Sequence, residues 1–72
     1  MTLEVLDRPR ENQTVDMRDP AAVRAARDQF LRLRVMGYFA YREDAGGGGA
    51  VVRELPEDPD AHVTFVPHLV GG

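Results

Sequence analysis

The chain is 72 residues long with a net charge of −3, and it contains neither cysteine nor serine. That length allows one domain with a modest core and only a few kcal/mol of net stability, too little to build a deep catalytic cleft unaided. Disulfides, thiolate zinc sites and cysteine or serine nucleophiles are excluded, which favours a carrier, binding or structural role.

Leu3-Glu4-Val5-Leu6 is short, partly alternating and β-branched, and it predicts a strand. Asp7 to Gln13, with Pro9 and Asn12, predicts a turn or loop. Thr14-Val15-Asp16-Met17 alternates again and is expected to pair back on the first strand. Asp19-Pro20 marks a helix start, with Asp19 as N-cap and Pro20 where its missing N–H does no harm. Val23, Ala26, Phe30 and Leu33 recur at helical spacing as one apolar stripe, extended by Ala22. Arg24, Asp28 and Arg32 point the other way, at the spacing of local ion pairs. Leu31 lies off the stripe. Gly37 suits the left-handed residue that closes a helix. Tyr38 to Arg42 and Val51 to Leu55 predict hairpin arms around a flexible Gly46–Gly49 loop. Pro56 to Asp60 is an acidic turn, and His62 to Val66 is the last strand, ended by Pro67. The order β-β-α-β-β-β predicts an α+β domain over residues 1–70, with one helix packed across a mixed sheet. The expected core is Leu3, Val5, Val23, Ala26, Phe30, Leu33, Phe39, Val63 and Phe65. Residues 71–72 are expected to form a flexible tail.

Charge is unevenly spread. Residues 20–37 carry Arg24, Arg27, Arg32 and Arg34 against Asp28 alone. Beyond Tyr38, Glu43, Asp44, Glu54, Glu57, Asp58 and Asp60 outnumber Arg42 and Arg53. The overall acidity argues against nucleic-acid binding, which needs a strongly basic surface. No apolar run approaches the roughly 20 residues that span a bilayer. Met1 to Glu4 lacks the basic and apolar regions of a signal peptide, so a cytoplasmic location is expected. Every basic side chain is arginine, which leaves the N-terminus as the only amine.

Few side chains suggest chemistry. His62, His68 and Asp60 are too sparse a set for a metal, which wants three or four converging ligands. The four glycines lack the Gly-Lys-Ser/Thr of a phosphate loop and do not open a helix. The carboxylates show no spacing that would pair them for acid–base work. Gly71-Gly72 stands out. With glycine at about 7% of residues, two in the last two positions arise by chance in roughly 0.5% of chains. Here they follow a strand and Pro67-His68-Leu69-Val70. Two residues without Cβ can thread a narrow channel and leave an acyl carbon open to attack. A carboxylate activated as an acyl-adenylate is the chemistry that suits such an arm.

Asp60-Ala61-His62-Val63-Thr64-Phe65-Val66-Pro67-His68-Leu69-Val70-Gly71-Gly72, together with the element order, resembles the β-grasp family of ubiquitin-like proteins and sulfur carriers. Sulfur carriers often have two prolines where this chain has Pro67-His68, and the long first loop and the glycine hairpin are untypical of them. The branches are therefore sulfur carrier, protein modifier, or a bacterial, phage or mobile-element relative. The resemblance implies that an E1-like enzyme uses ATP and magnesium to adenylate the Gly72 carboxylate, and the acyl group then passes to sulfur. The chain itself would hold no cofactor and would be the substrate and carrier, not a catalyst. Gly71 and Gly72 would form the reactive arm. The sheet face around Phe65, with Pro67, His68, Leu69 and Val70, would dock the enzyme, and a JAB-type peptidase would be a further partner. Lack of lysine would rule out lysine-linked chains on itself. Two other readings stand beside this one. One is a structural or interaction protein, such as a small phage or mobile-element assembly component with an ordinary disordered end. The other is a nucleic-acid accessory built on the arginine face.

Overall fold

Local chemistry delimits the helix. The computed structural model describes residues 1–43 and 46–67, and its long helix, α1, runs Pro20–Val35. The Asp19 carboxylate accepts the Ala21 N–H at 3.0 Å, and Pro20 occupies the first turn. Just upstream, Asp16 accepts the Arg18 N–H at 3.0 Å. This backbone bond and the Arg18 guanidinium hold the Asp16 carboxyl below its ordinary pKa. At the other end Gly37 adopts φ 96°. There the Gly37 N–H donates to Arg34 O and the Tyr38 N–H to Leu33 O, both at 3.0 Å. This pair of bonds is the Schellman closure, and only glycine enters it without strain. It also turns Tyr38 inward beside Leu33, and both are buried in the same cluster.

Among the described residues five strands form one mixed sheet: β1 (Thr2–Val5), β2 (Gln13–Thr14), β3 (Phe39–Glu43), β4 (Gly49–Val51) and β5 (His62–Val66). Their spatial order is β2-β1-β5-β3-β4. β5 runs parallel to β1, with Leu3 opposite Val63 and Val5 opposite Phe65. It runs antiparallel to β3, with Ala40 opposite Phe65. The two hairpins, β1–β2 and β3–β4, flank this centre. The α+β, β-grasp-like architecture and the β-β-α-β-β-β order are those expected from the sequence.

Alternation along the strands separates the faces. Leu3, Val5, Ala40, Val63 and Phe65 meet Ala26, Phe30 and Leu33 of α1 in one buried cluster. The Phe30 and Phe65 rings pack edge to face, 5.6 Å apart, a favoured geometry for aromatic pairs. Met1, Val15, Tyr38 and Ala61 complete the cluster. Gln29 is buried too; it accepts from the Gln13 side chain and donates to Glu11 O at 3.3 Å. These bonds tie α1 to β2 and to the 3₁₀ turn Pro9–Glu11.

Four expectations need correction. Phe39 is 41% exposed and Val23 only half-buried. The ladder sets Phe39 opposite Val66, on the face away from the helix, and Ala40 lies inward instead. The second strand stops at Thr14, although Val15 continues the pairing through its N–H bond to Met1 O at 2.7 Å. The fourth strand is Gly49–Val51 rather than Val51 to Leu55. The chain leaves the sheet after Val52, and Leu55 packs against the core. Arg34 holds this departure by donating to Arg53 O at 2.7 Å, and Arg42 pairs with Asp58.

Two consequences are measurable. Replacing Gly37 with Ala forces a Cβ into a positive-φ position, which costs about 1–2 kcal/mol; urea denaturation should show that loss with an unchanged m-value. The Tyr38 hydroxyl donates to both Asp7 carboxylate oxygens, at 2.9 and 2.8 Å. This bond, with burial, raises the phenol above its ordinary value near 10. A raised folded-state pKa gives stabilisation that is full below the unfolded value and is lost as pH rises through the folded one. Asp7→Asn should therefore lower the midpoint of the Tyr38 absorbance titration, and its stability deficit should shrink in strong alkali.

Candidate functional site

The strand that precedes the tail in sequence, β5, is the central strand of the sheet. β5 ends at Val66, in register with Phe39 at the start of β3, and the half-buried Pro67 follows. His68, Leu69, Val70, Gly71 and Gly72 lie outside the described residues. The site is therefore built from the root of the arm and the sheet surface around it.

Phe65, expected as a docking contact, is 0% exposed. Its ring packs against Phe30 in the core, so its side chain cannot touch a partner while the domain is folded. Alternation explains the correction. Strand residues of the same parity as Phe65 face α1, whereas Thr64 and Val66 face away. The outward neighbours of Phe65, rather than Phe65 itself, carry the surface at this point.

That surface is mixed in character. Phe39 and Tyr41 stand two residues apart on β3, with ring centroids 6.5 Å apart. Tyr41 is in register with Val51 of β4 and Thr64 of β5. Val51 is 56% exposed, which continues the apolar stretch to the edge of the sheet. Where β3 begins and β4 ends, a cavity of about 410 Å³ is lined by Tyr38, Phe39, Val51, Val52, Arg34 and Arg53. Phe39 thus borders the end of β5, and the cavity on its other side adds aliphatic groups and two guanidinium side chains.

The far end of the same face is polar. His62 Nε2 lies 3.1 Å from Glu4 Oε2, and His62 Nδ1 lies 3.8 Å from Glu43 Oε2. The histidine bridges β1, β5 and β3 across the sheet. Sequence spacing gave no sign of this trio, because Glu4 and Glu43 reach His62 only through the strand register. Asp60 is not part of it. Among the described residues no group of three histidine, cysteine or acidic side chains could hold a metal. Thr64 Oγ1, between the polar and aromatic halves, is buried without a hydrogen-bond partner among the described residues.

The two roles assigned to Phe65 separate under mutation. Phe65→Ala removes a fully buried aromatic ring, typically a loss of about 3–5 kcal/mol, comparable to the whole stability of a domain this small. Val51→Ser on the open face should change stability by less than about 1 kcal/mol. Thermal melts followed by circular dichroism should show the first variant unfolded or nearly so and the second close to the parent.

Among the described residues no helix is long and apolar enough to cross a membrane. A scan against protein-family models finds no match for the chain, and comparisons with curated proteins and with solved structures find none either.

Proposed function

We propose that the chain is a small ubiquitin-like carrier or modifier whose Gly72 carboxylate is activated by a separate adenylating enzyme. The observation that carries this reading is the position of the strand bearing the arm. β5 is paired on both sides, in the order β2-β1-β5-β3-β4, and Pro67-His68-Leu69-Val70-Gly71-Gly72 follows it directly. The arm is anchored at the most constrained part of the sheet, beside an exposed apolar surface.

The chemistry asks little of this chain. A Gly72 carboxylate oxygen attacks the α-phosphorus of magnesium-bound ATP on the enzyme, and pyrophosphate leaves. A sulfur nucleophile then attacks the acyl carbon and AMP leaves. An enzyme thiolate gives a thioester, and a sulfur donor gives a thiocarboxylate. Gly71 and Gly72 place no Cβ near that carbon, so they leave it open from both sides. Phe39, Tyr41 and Val51, together with Val66 and Pro67, take the docking role first expected of Phe65. His68, Leu69 and Val70 extend it along the arm. A JAB-type peptidase is a consistent second partner, and the cytoplasm the consistent location.

A second reading, a structural or interaction protein such as a phage or mobile-element assembly component, draws on the same exposed Phe39 and Val51. Intact mass of the protein from its native host separates the two. The carrier reading expects a chain ending at Gly72, with oxygen replaced by sulfur there or a covalent adduct at that carboxylate. Deleting Gly72 should abolish function and leave the circular dichroism spectrum unchanged. Full function with Gly72 deleted, or with a C-terminal tag in place, sinks the carrier reading.

A further inference from the structure

The outward face of α1 has a pattern that the tail does not explain. Steps of 100° per residue place Arg24, Asp28, Leu31 and Val35 along one line, with Asp28 on the side toward Arg32, opposite the buried Ala26, Phe30 and Leu33. Leu31 is 61% and Val35 88% exposed. Arg27 and Arg34 flank this line on the side facing the Val52–Glu57 segment, and Arg32 flanks it on the other. The expected Arg24–Asp28 and Asp28–Arg32 pairs do not form. The helix arginines that do engage another group are Arg34, which bonds Arg53 O, and Arg27, which reaches Glu57 at 3.9 Å with both side chains largely exposed. An exposed pair at that distance contributes little. Arg24, Arg32 and Arg53 have no ion-pair partner among the described residues.

Beside this line lies a cleft of about 290 Å³ between α1 and the segment after β4. Phe30 and Leu55 line its apolar part, Leu31 forms its lip, and Arg27 and Arg53 stand beside it. Its volume lies at the bottom of the range of small-molecule sites, roughly 300–1,000 Å³, and admits a large apolar side chain with room beside it. Glu54 and Glu57 line the side away from the helix.

We propose that this face docks an acidic peptide segment of a partner protein. One large apolar side chain enters the cleft against Leu31 and Leu55, and neighbouring carboxylates pair with Arg24, Arg27 and Arg34. Charge complementarity selects the occupant. The helix is strongly basic within an acidic chain, and planar guanidinium groups pair bidentately with carboxylates. Glu54 and Glu57 orient the segment so that its acidic residues run over the helix and away from the loop. A nucleic acid presents unbroken negative charge and would meet those two carboxylates as well.

The test is a titration of the ¹⁵N-labelled chain with a short synthetic peptide of glutamates around a central leucine, followed by amide chemical shifts. Saturable shifts confined to residues 24–35 and 53–57 are expected. Leu31→Ser, and separately Arg27→Glu, should each weaken binding by about tenfold. All these side chains are exposed, and the spectra of the free variants report whether each keeps the parent fold. Only Arg27→Glu should flatten the salt dependence. Replacing the peptide's leucine with serine should weaken binding as Leu31→Ser does. Removing Gly71 and Gly72 should change nothing, so this inference fails or stands apart from the carrier reading. It is overturned by the absence of saturable shifts up to millimolar peptide, or by shifts elsewhere on the surface. It is equally overturned if a single-stranded oligonucleotide or an anionic vesicle binds this face more tightly, or if self-association of the chain accounts for the shifts.

Discussion

The pairing of β5 between β1 and β3 is the constraint on which the rest depends. A strand bonded on both sides has no free edge and satisfies its backbone groups within the sheet. Here it also supplies Val63 and Phe65, two of the largest fully buried side chains. Because β5 lies parallel to β1, no tight turn can join them, and the chain between must travel out and back. That path holds α1, whose stripe covers the face that β1, β3 and β5 present together. The hairpins then extend the sheet on either side with short edge strands, two residues in β2 and three in β4.

Polar contacts fix how these parts meet. Gln29 fastens the helix to the first hairpin, Tyr38 reaches across to Asp7, and Arg42 holds Asp58 in the turn that leads into β5. Asp58 also organises that turn, accepting the Asp60 N–H at 2.9 Å. The Gln29, Tyr38 and Arg42 contacts link segments far apart in sequence. Such bonds contribute modestly to net stability, but leaving the partly buried partners unmatched would cost more. The result is a sheet with one dry face under the helix and one open face. The apolar and polar halves of that open face lie at opposite ends of β5.

The sequence shows most clearly what local chemistry decides. Asp19-Pro20 and Gly37 mark the helix because a cap and a left-handed closure are satisfied by neighbours a few residues away. His62 to Val66 alternates cleanly, so its buried side is readable from pattern alone. Phe39 misleads because aromatic residues occupy three of the four positions Tyr38 to Tyr41, and size suggests the wrong parity. Only pairing with β5 decides that Ala40 goes under the helix, where Phe65 already fills the volume. Tyr38 is buried through the closure at Gly37, a geometric effect that hydrophobic pattern does not contain. Gly49 enters a strand against its propensity because the register with Glu43 demands it. At the candidate site the arm is readable as sequence. The His62–Glu4–Glu43 bridge and the cleft beside Leu31 exist only once distant segments are brought together.

The pairing of Thr2 with His62 also bears on how the protein is made. A ribosome delivers β1 about sixty residues before β5, so the sheet cannot close around its middle strand while the segments between them emerge. Until then Leu3, Val5 and Ala40 lack the Val63 and Phe65 side chains that complete their cluster, and a nascent or prematurely terminated chain leaves them open to chaperones and proteases. Translation must pass Val66 before the core exists. Folding thus acts as a proofreading step: a copy that survives as a native domain is one synthesised through its central strand.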